Sequence, residues 1–226
     1  MFEFTLSKLN LLIFVTAIAA IMLFFLNTVN ANLKTRQSFE LTYKIGKELK
    51  SGIDGKSYCS IKYITIPRTI KTNQGSSNMF NINYKFNIAQ YDYKNPNPNS
   101  SFNKKLVIAI TDQKSKKIYA AHDIDFEGDF IFYESEYDVD TGGYSFTKNE
   151  EYGIYDPLKI KSIDTSLLFI KKVNEGKSNY YIIPCEKRNS IYSCKDFVCN
   201  NSEGIFDDIS CKDVELCSSD LGESSI

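Results

Sequence analysis

The hydrophobic pattern opens with an uncharged apolar run that begins at Leu9 and ends at Leu26. Only Asn10 and Thr16 interrupt this run, and neither side chain carries a charge. At 1.5 Å per helical residue, its eighteen positions span about 27 Å, close to the hydrocarbon thickness of a bilayer. The run therefore predicts a helix whose partner is the lipid bilayer.

A second helical pattern follows the apolar run. Its apolar or long side chains recur every four residues, at Leu33, Gln37, Leu41, Ile45 and Leu49. This spacing is typical of one face of an amphipathic helix, and we expect that helix to end at about Lys50. Residues 27–32 either join the two helical segments or break them.

From Cys59 onward the hydrophobic period changes from four residues to two. The clearest strand has apolar residues at Phe80, Ile82, Tyr84, Phe86 and Ile88, with polar residues between them. Further strands are predicted at residues 61–66, 106–111, 117–121, 130–133, 167–173 and 180–184. Turn signals pair 106–111 with 117–121, and 167–173 with 180–184, as hairpins. Short strands without helical patterns between them predict a mainly antiparallel, β-sandwich-like domain.

These patterns divide the chain into four parts. Residues 1–31 are predicted to be a transmembrane anchor and 32–52 an amphipathic helical stalk. Residues 53–184 are predicted to form a β-rich domain, which we expect to be extracytoplasmic for the reasons given below, and 185–226 a Cys-rich, irregular C-terminal tail.

An acidic motif lies at residues 123–134 of the β-rich part. Its acidic residues occupy relative positions 1, 3, 5, 7 and 12, and are Asp123, Asp125, Glu127, Asp129 and Glu134. With Gly128 at position 6, this is the spacing of an EF-hand calcium loop. An EF-hand needs a helix on each side, whereas the neighbouring apolar residues alternate as in strands. We therefore expect a β-hairpin with a solvated acidic face and keep a calcium site of another kind as the alternative; no other cofactor is expected.

All six cysteines follow the predicted anchor, at Cys59, Cys185, Cys194, Cys199, Cys211 and Cys217. No C-x-x-C pair occurs, which disfavours a zinc site or a thiol-redox centre. An even number of cysteines, crowded towards a polar tail, favours disulfides formed in an oxidising compartment, with their connectivity open. The alternatives are a metal site and unpaired cytosolic thiols. Asn99 and Asn200 begin N-x-S sequons and are candidate glycosylation sites.

The charges around the apolar run and the cysteines predict opposite orientations. Lys8 alone precedes the run, while five basic residues follow it within residues 34–50. The positive-inside rule would thus keep the large domain in the cytoplasm. We give the cysteines more weight and expect a retained single-pass anchor in the cell membrane with the domain outside. The alternative is secretion after cleavage of a signal peptide following Ala31.

Composition excludes several classes of function. The chain is 42% hydrophobic with a net charge of −1, so it can build a core and has no basic bias towards nucleic acid. His122 is the only histidine, and no G-x-S-x-G nucleophile motif accompanies it. The chain also has no glycine-rich phosphate-binding loop, so nucleotide binding lacks support. We expect His122 to be an ordinary strand residue and the protein to have no catalytic activity.

The layout of a short tail, an apolar helix, its amphipathic extension and a β-rich domain resembles type IV pilin-like proteins, including archaeal surface proteins. The resemblance covers residues 1–50 and implies export, membrane anchoring and a homo-oligomer formed by packing of N-terminal helices. The segment Ser7-Lys8-Leu9 has no Gly or Ala at the position of a prepilin-peptidase cut. We therefore assign none of the functional residues of pilin-like proteins to this chain. The leading interpretation is a structural or adhesive, pilin-like role. The alternatives are an exported binding module that recognises a glycan, an ion or a surface protein, and an extracytoplasmic enzyme.

Overall fold

The computed structural model describes residues 2–71, 81–92, 104–155 and 165–200. These ranges contain two helices, α1 (Phe2–Ile53) and α2 (Ser193–Asn200). The strands before residue 140 are β1 (Cys59–Ile66), β2 (Ile70–Lys71), β3 (Asn81–Ile82), β4 (Tyr84–Asp92), β5 (Lys104–Asp112), β6 (Ile118–Phe126) and β7 (Asp129–Tyr137). The later strands are β8 (Tyr144–Asn149), β9 (Tyr152–Tyr155), β10 (Thr165–Asn174), β11 (Lys177–Cys185), β12 (Lys187–Arg188) and β13 (Ile191–Tyr192).

Helix α1 is a single unbroken helix of 52 residues, so residues 27–32 join the two helical segments. Hydroxyl side chains near this junction bond back to the helix itself. Thr28 Oγ1 donates to the carbonyl of Phe24 at 2.9 Å, and Thr35 Oγ1 donates to that of Ala31 at 3.1 Å. Because these polar groups are satisfied within the helix, they do not interrupt it.

The strands form two main sheets, and the predicted antiparallel sandwich is confirmed. The five-stranded sheet has the order β1-β10-β11-β7-β8, and the four-stranded sheet has the order β6-β5-β4-β9. The hairpins β5–β6 and β10–β11 are those predicted from the turn signals. The parallel pairing of β7 with β11 was not predicted, because those strands are far apart in sequence.

The β-hairpin predicted at residues 123–134 is wrong. Strand β6 pairs with β5 in the four-stranded sheet, whereas β7 pairs with β8 and β11 in the five-stranded sheet. The chain crosses between the sheets at Gly128, which has a φ of +119°. A Cβ on Gly128 would lie 2.1 Å from the carbonyl oxygen of Ser178 on β11. The sequence pattern did not reveal this crossing. Apolar and polar side chains alternate along a strand in the same way whichever of the two sheets the strand joins.

The main core lies between the two sheets and is completed by the C-terminal half of α1. Fully buried side chains from the sheets include Phe86, Ile108, Phe130, Phe169 and Ile182. Helix α1 adds Ile45, Leu49 and Ile53 and packs chiefly on β6, with further contacts to β1, β5 and β10. Since β1 and β6 are edge strands, the helix covers one side of the sandwich.

A smaller core covers the outer face of the five-stranded sheet. Phe197 of α2 is fully buried against this face and packs on Tyr133, with ring centroids 4.5 Å apart. Strands β12 and β13 form a short ribbon that leads into α2. The described beginning of the predicted Cys-rich tail is therefore folded onto the sheet.

Candidate functional site

The most distinctive surface of the molecule is the N-terminal half of α1. Its large apolar side chains are exposed, including Leu12 at 63% and Phe24 at 71%, and its most apolar 18-residue window has no buried residue. Within the described ranges, this is one helix that is long and apolar enough to cross a membrane. Among the residues that the structure describes, none covers the predicted apolar run.

The C-terminal half of the same helix has the opposite environment. Ser38, Thr42 and Leu49 are completely buried, and Thr42 Oγ1 donates to the carbonyl of Ser38 at 3.1 Å. Residues 27–37 lie between the apolar and the buried segments and are mostly exposed. At 1.5 Å per residue, this spacer is about 16 Å long. One continuous helix therefore connects an exposed apolar segment to the core of the sandwich.

Two glycines let α1 approach the sheets closely. A Cβ on Gly46 would lie 2.3 Å from Cδ2 of His122, and one on Gly52 would lie 2.5 Å from Cε1 of Phe169. His122 therefore lies on the inner side of β6 against the helix. Its ring also packs against that of Tyr43, with the ring centroids 5.6 Å apart and the two planes nearly perpendicular. In this position the histidine serves helix packing.

Lys171 of β10 was missed by sequence reasoning. Its side chain is 7% exposed, and its ammonium group donates to the carbonyls of Ile53 at 2.7 Å and Gly55 at 2.6 Å. Burial lowers the pKa of this amine. Because the last carbonyls of a helix have no partner within the helix, Lys171 caps the end of α1. A lysine at the end of the continuous apolar run of β10 gives no sequence signal for such a role.

The acidic motif is spread over two strands and is paired with lysines. Lys105 Nζ lies 2.6 Å from Oδ2 of Asp123 and 3.8 Å from Oδ1 of Asp125, and Lys104 donates to Asp129. The bond from Lys105 lowers the pKa of the Asp123 carboxyl. The three aspartates are about half exposed, in keeping with the predicted solvated acidic face.

The other two members of the motif lie apart from these ion pairs. Glu127 stands in the turn between β6 and β7, and its carbonyl accepts from the hydroxyl of Tyr180 at 3.1 Å. Glu134 is exposed on β7. Among the described residues, no three His, Cys, Asp or Glu side chains are grouped to hold a metal ion. The alternative calcium site at residues 123–134 remains a prediction from the sequence.

Three of the predicted disulfide cysteines lie in the described structure. Cys185 at the end of β11 is bonded to Cys194 in α2, with their Cα atoms 4.6 Å apart. Cys59 is disulfide-bonded as well. The side chains of Cys199 and Asn200, and the whole of Cys211, Cys217 and Asn99, lie outside the described residues.

A partly buried glutamate lies beside the disulfide. Glu186 directly follows β11, and its backbone N–H donates to Ser193 Oγ at 2.7 Å while its carbonyl accepts from the Ser193 N–H at 2.7 Å. Burial raises the pKa of the Glu186 carboxyl to about 7. The surrounding groups include Tyr144, whose hydroxyl donates to the Glu186 carbonyl at 3.4 Å. These bonds hold the start of α2 against the end of β11.

Comparison of the chain with protein-family models, with curated proteins and with solved structures finds no match. We therefore infer the function from the geometry of α1, from the disulfides and from the surface of the sandwich.

Proposed function

We propose that this protein is a single-pass, membrane-anchored protein with its β-sandwich outside the cytoplasm and a structural or adhesive, pilin-like role. The observation that carries the proposal is the division of α1 into an exposed apolar half and a half buried in the sandwich. A soluble protein would have to hide the apolar half, and the described part of the chain offers it no cover.

The composition of residues 9–26 supports insertion into a bilayer. Twelve of these eighteen side chains are Leu, Ile, Phe or Val. Each favours insertion at the membrane centre by about 0.3 to 0.6 kcal/mol, so together they contribute on the order of 5 kcal/mol. The uncharged Asn10 lies at one end of the run, where the cost of a polar group is smaller.

The disulfides support an orientation with the sandwich outside. The bond between Cys185 and Cys194, and the disulfide state of Cys59, need an oxidising compartment. The basic residues that follow the run favour the opposite orientation. We give the covalent bonds more weight, because long domains are translocated largely regardless of charge.

The unbroken helix supports a structural role. A flexible linker would let the domain move freely above the membrane, whereas α1 continues without interruption from the apolar run into the core. The sandwich is thus held at a fixed distance and direction from its anchor. A binding module, the second interpretation from the sequence, remains a prediction that rests on the surface of the sandwich.

The proposal is tested with the full chain carrying a C-terminal epitope tag. We expect it to stay in the membrane after alkaline extraction, with an intact mass that includes the apolar run. The variant Phe14→Lys with Ile18→Lys should leave the membrane fraction, because each lysine costs about 2.5 to 3.5 kcal/mol at the centre of a bilayer. The matched control, Phe39→Lys with Tyr58→Lys, changes two exposed side chains outside the run and should remain in the membrane.

Orientation is measured in the same cells with a membrane-impermeant protease and a thiol reagent. We expect the tag to be accessible from outside and Cys59, Cys185 and Cys194 to be unreactive before reduction. A soluble protein that begins after Ala31 would instead indicate the secreted alternative. A protected tag together with reactive thiols would contradict the proposed orientation.

A further inference from the structure

A basic groove separates α1 from the edge strand β1. The groove is open to solvent and has a volume of about 490 Å³. It is lined by Lys44, Lys47, Glu48 and Ser51 of the helix and by residues 62–64 of the strand. The helical residues recur at intervals of three and four positions and therefore share one face of α1. This volume lies within the range of small-molecule sites.

The three lysines of this basic groove form no ion pair with any residue that the structure describes. Two other cations on α1 have a carboxylate one turn away, since Arg36 lies 3.2 Å from Glu40 and Lys50 lies 3.5 Å from Asp54. Across the described ranges, no ion pair includes Lys44, Lys47 or Lys62. Lys62 Nζ donates to Ser51 Oγ at 2.8 Å, which fixes its position across the groove.

The charge balance of the groove indicates an anionic ligand. Three lysines against one glutamate leave a formal excess of two positive charges. Lys44 and Lys47 are exposed, so their ammonium groups can meet a ligand without a large loss of their own hydration. The groove therefore suits a ligand with two or more carboxylate, sulfate or phosphate groups.

Lipid headgroups do not fit the position of the groove. Lys44 follows Leu26 by eighteen residues of continuous helix, which is about 27 Å along the axis. Headgroups extend only several ångströms beyond the hydrocarbon core on each side. A helix that crosses the bilayer through residues 9–26 holds the groove above that layer.

The remaining polar groups favour a saccharide over an acidic peptide. Glu48 offers a carboxylate that accepts hydrogen bonds, and Ser51 offers a hydroxyl that both donates and accepts. An acidic sugar carries hydroxyl donors for these groups and acidic groups for the lysines, whereas a run of acidic side chains would place carboxylates against Glu48. We propose that the basic groove between α1 and β1 binds an acidic oligosaccharide.

The test uses the full chain in neutral detergent micelles, with oligogalacturonate as the acidic saccharide and a neutral glucan oligomer as its uncharged counterpart. We expect oligogalacturonate to bind and the neutral oligomer not to bind, with an affinity that falls as salt is added. Lys44→Gln, Lys47→Gln and Lys62→Gln together should weaken binding about tenfold or more. These side chains lie outside the core, so the thermal midpoint should stay unchanged.

A matched control removes the same charge elsewhere. Lys114, Lys116 and Lys177 are exposed turn or strand-end residues, and their replacement by Gln should change the affinity less than twofold. Absence of binding by the wild type, or an equal loss in this control, overturns the proposal. Equal or tighter binding of an oligoglutamate of the same charge also overturns it and assigns the groove to an acidic peptide. None of these outcomes depends on membrane insertion, so the proposed anchoring is tested separately.

Discussion

At the scale of single residues, the contact between Gly46 and His122 explains why a residue with poor helix propensity lies within α1. Glycine in a helix interior costs about 1 kcal/mol relative to alanine, so the sequence alone marks Gly46 as a weak point. In the structure the missing side chain makes room for the His122 ring. The only histidine of the chain, expected to be an ordinary strand residue, is part of the seam between α1 and β6.

Because of this contact, we expect the effect of Gly46→Ala on the free energy of unfolding to change sign when His122 is also replaced. Gly46→Ala should destabilise the wild type by about 1 to 3 kcal/mol, because the new Cβ overlaps the His122 ring. In a His122→Ala background the same change should stabilise the protein by about 1 kcal/mol, since only the helix propensity remains. Urea unfolding of the four proteins measures both values. Equal effects in the two backgrounds would show that the ring does not limit the approach of the helix.

The carboxyl of Glu186 should make the stability of the protein depend on pH. Burial raises its pKa from an ordinary value of 4.5 to about 7. Between these two pH values the folded state binds more protons than the unfolded state. The free energy of unfolding should therefore fall as pH rises from about 4.5 to 7, by on the order of 2 kcal/mol, and then level off.

The measurement is urea unfolding at pH 5 and pH 8. Glu186→Gln should remove most of the difference, while Glu136→Gln, which changes an exposed carboxyl on β7, should keep it. The lowered pKa values of the Asp112, Asp123 and Asp138 carboxyls place their own contributions below this window. A pH slope that survives in Glu186→Gln would assign the effect to another group.

At the scale of elements, the disulfide fastens α2 to the outer face of the five-stranded sheet. It joins residues nine positions apart, and a loop of that length is worth about 2 to 3 kcal/mol in the chain-entropy view. Cys185→Ser with Cys194→Ser should lower the free energy of unfolding by this amount. Amide exchange should accelerate in α2 far more than in β10, whose centre lies between the two cores. Uniform acceleration throughout the sandwich would contradict this local role.

The elements that sequence analysis predicted correctly are those with strong local patterns. Alternation placed Tyr84, Phe86 and Ile88 inside β4, and turn residues identified the hairpins β5–β6 and β10–β11. The change of sheet at Gly128 and the parallel pairing of β7 with β11 were missed. Both depend on which sheet each strand joins, and local periodicity carries no information about a distant partner.

The same limit applies to the groove and to the cap of α1. Lys44 and Lys47 appear in sequence as part of a general excess of basic residues after the apolar run. Their common site appears only when Lys62 is brought opposite them by the packing of β1 beside the helix. Lys171 likewise gains its role because β10 passes the end of α1. Each of these arrangements depends on contacts between residues far apart in sequence.

At the scale of the whole molecule, one continuous helix has two different environments. Its apolar half is exposed within the described part of the chain, and its buried half belongs to the same core as both sheets. A chain cut after the apolar half would therefore still need residues 38–53 to cover one side of the sandwich. The apolar half and the buried half consequently belong to one continuous helix, although the hydrophobic pattern divides them into separate segments.

The unbroken helix also has a consequence for how the chain is made. Its buried face is synthesised early, but its partners on β10 come much later: Lys171 is 118 residues beyond the helical carbonyl that it caps. At about 5 to 20 residues per second, the ribosome needs about 6 to 24 seconds to supply them. During that time the stripe of Ile45, Leu49 and Ile53 lacks the part of its cover that β10 provides. Insertion of the first half of the helix into the membrane during synthesis would tether this stripe and keep nascent copies from aggregating.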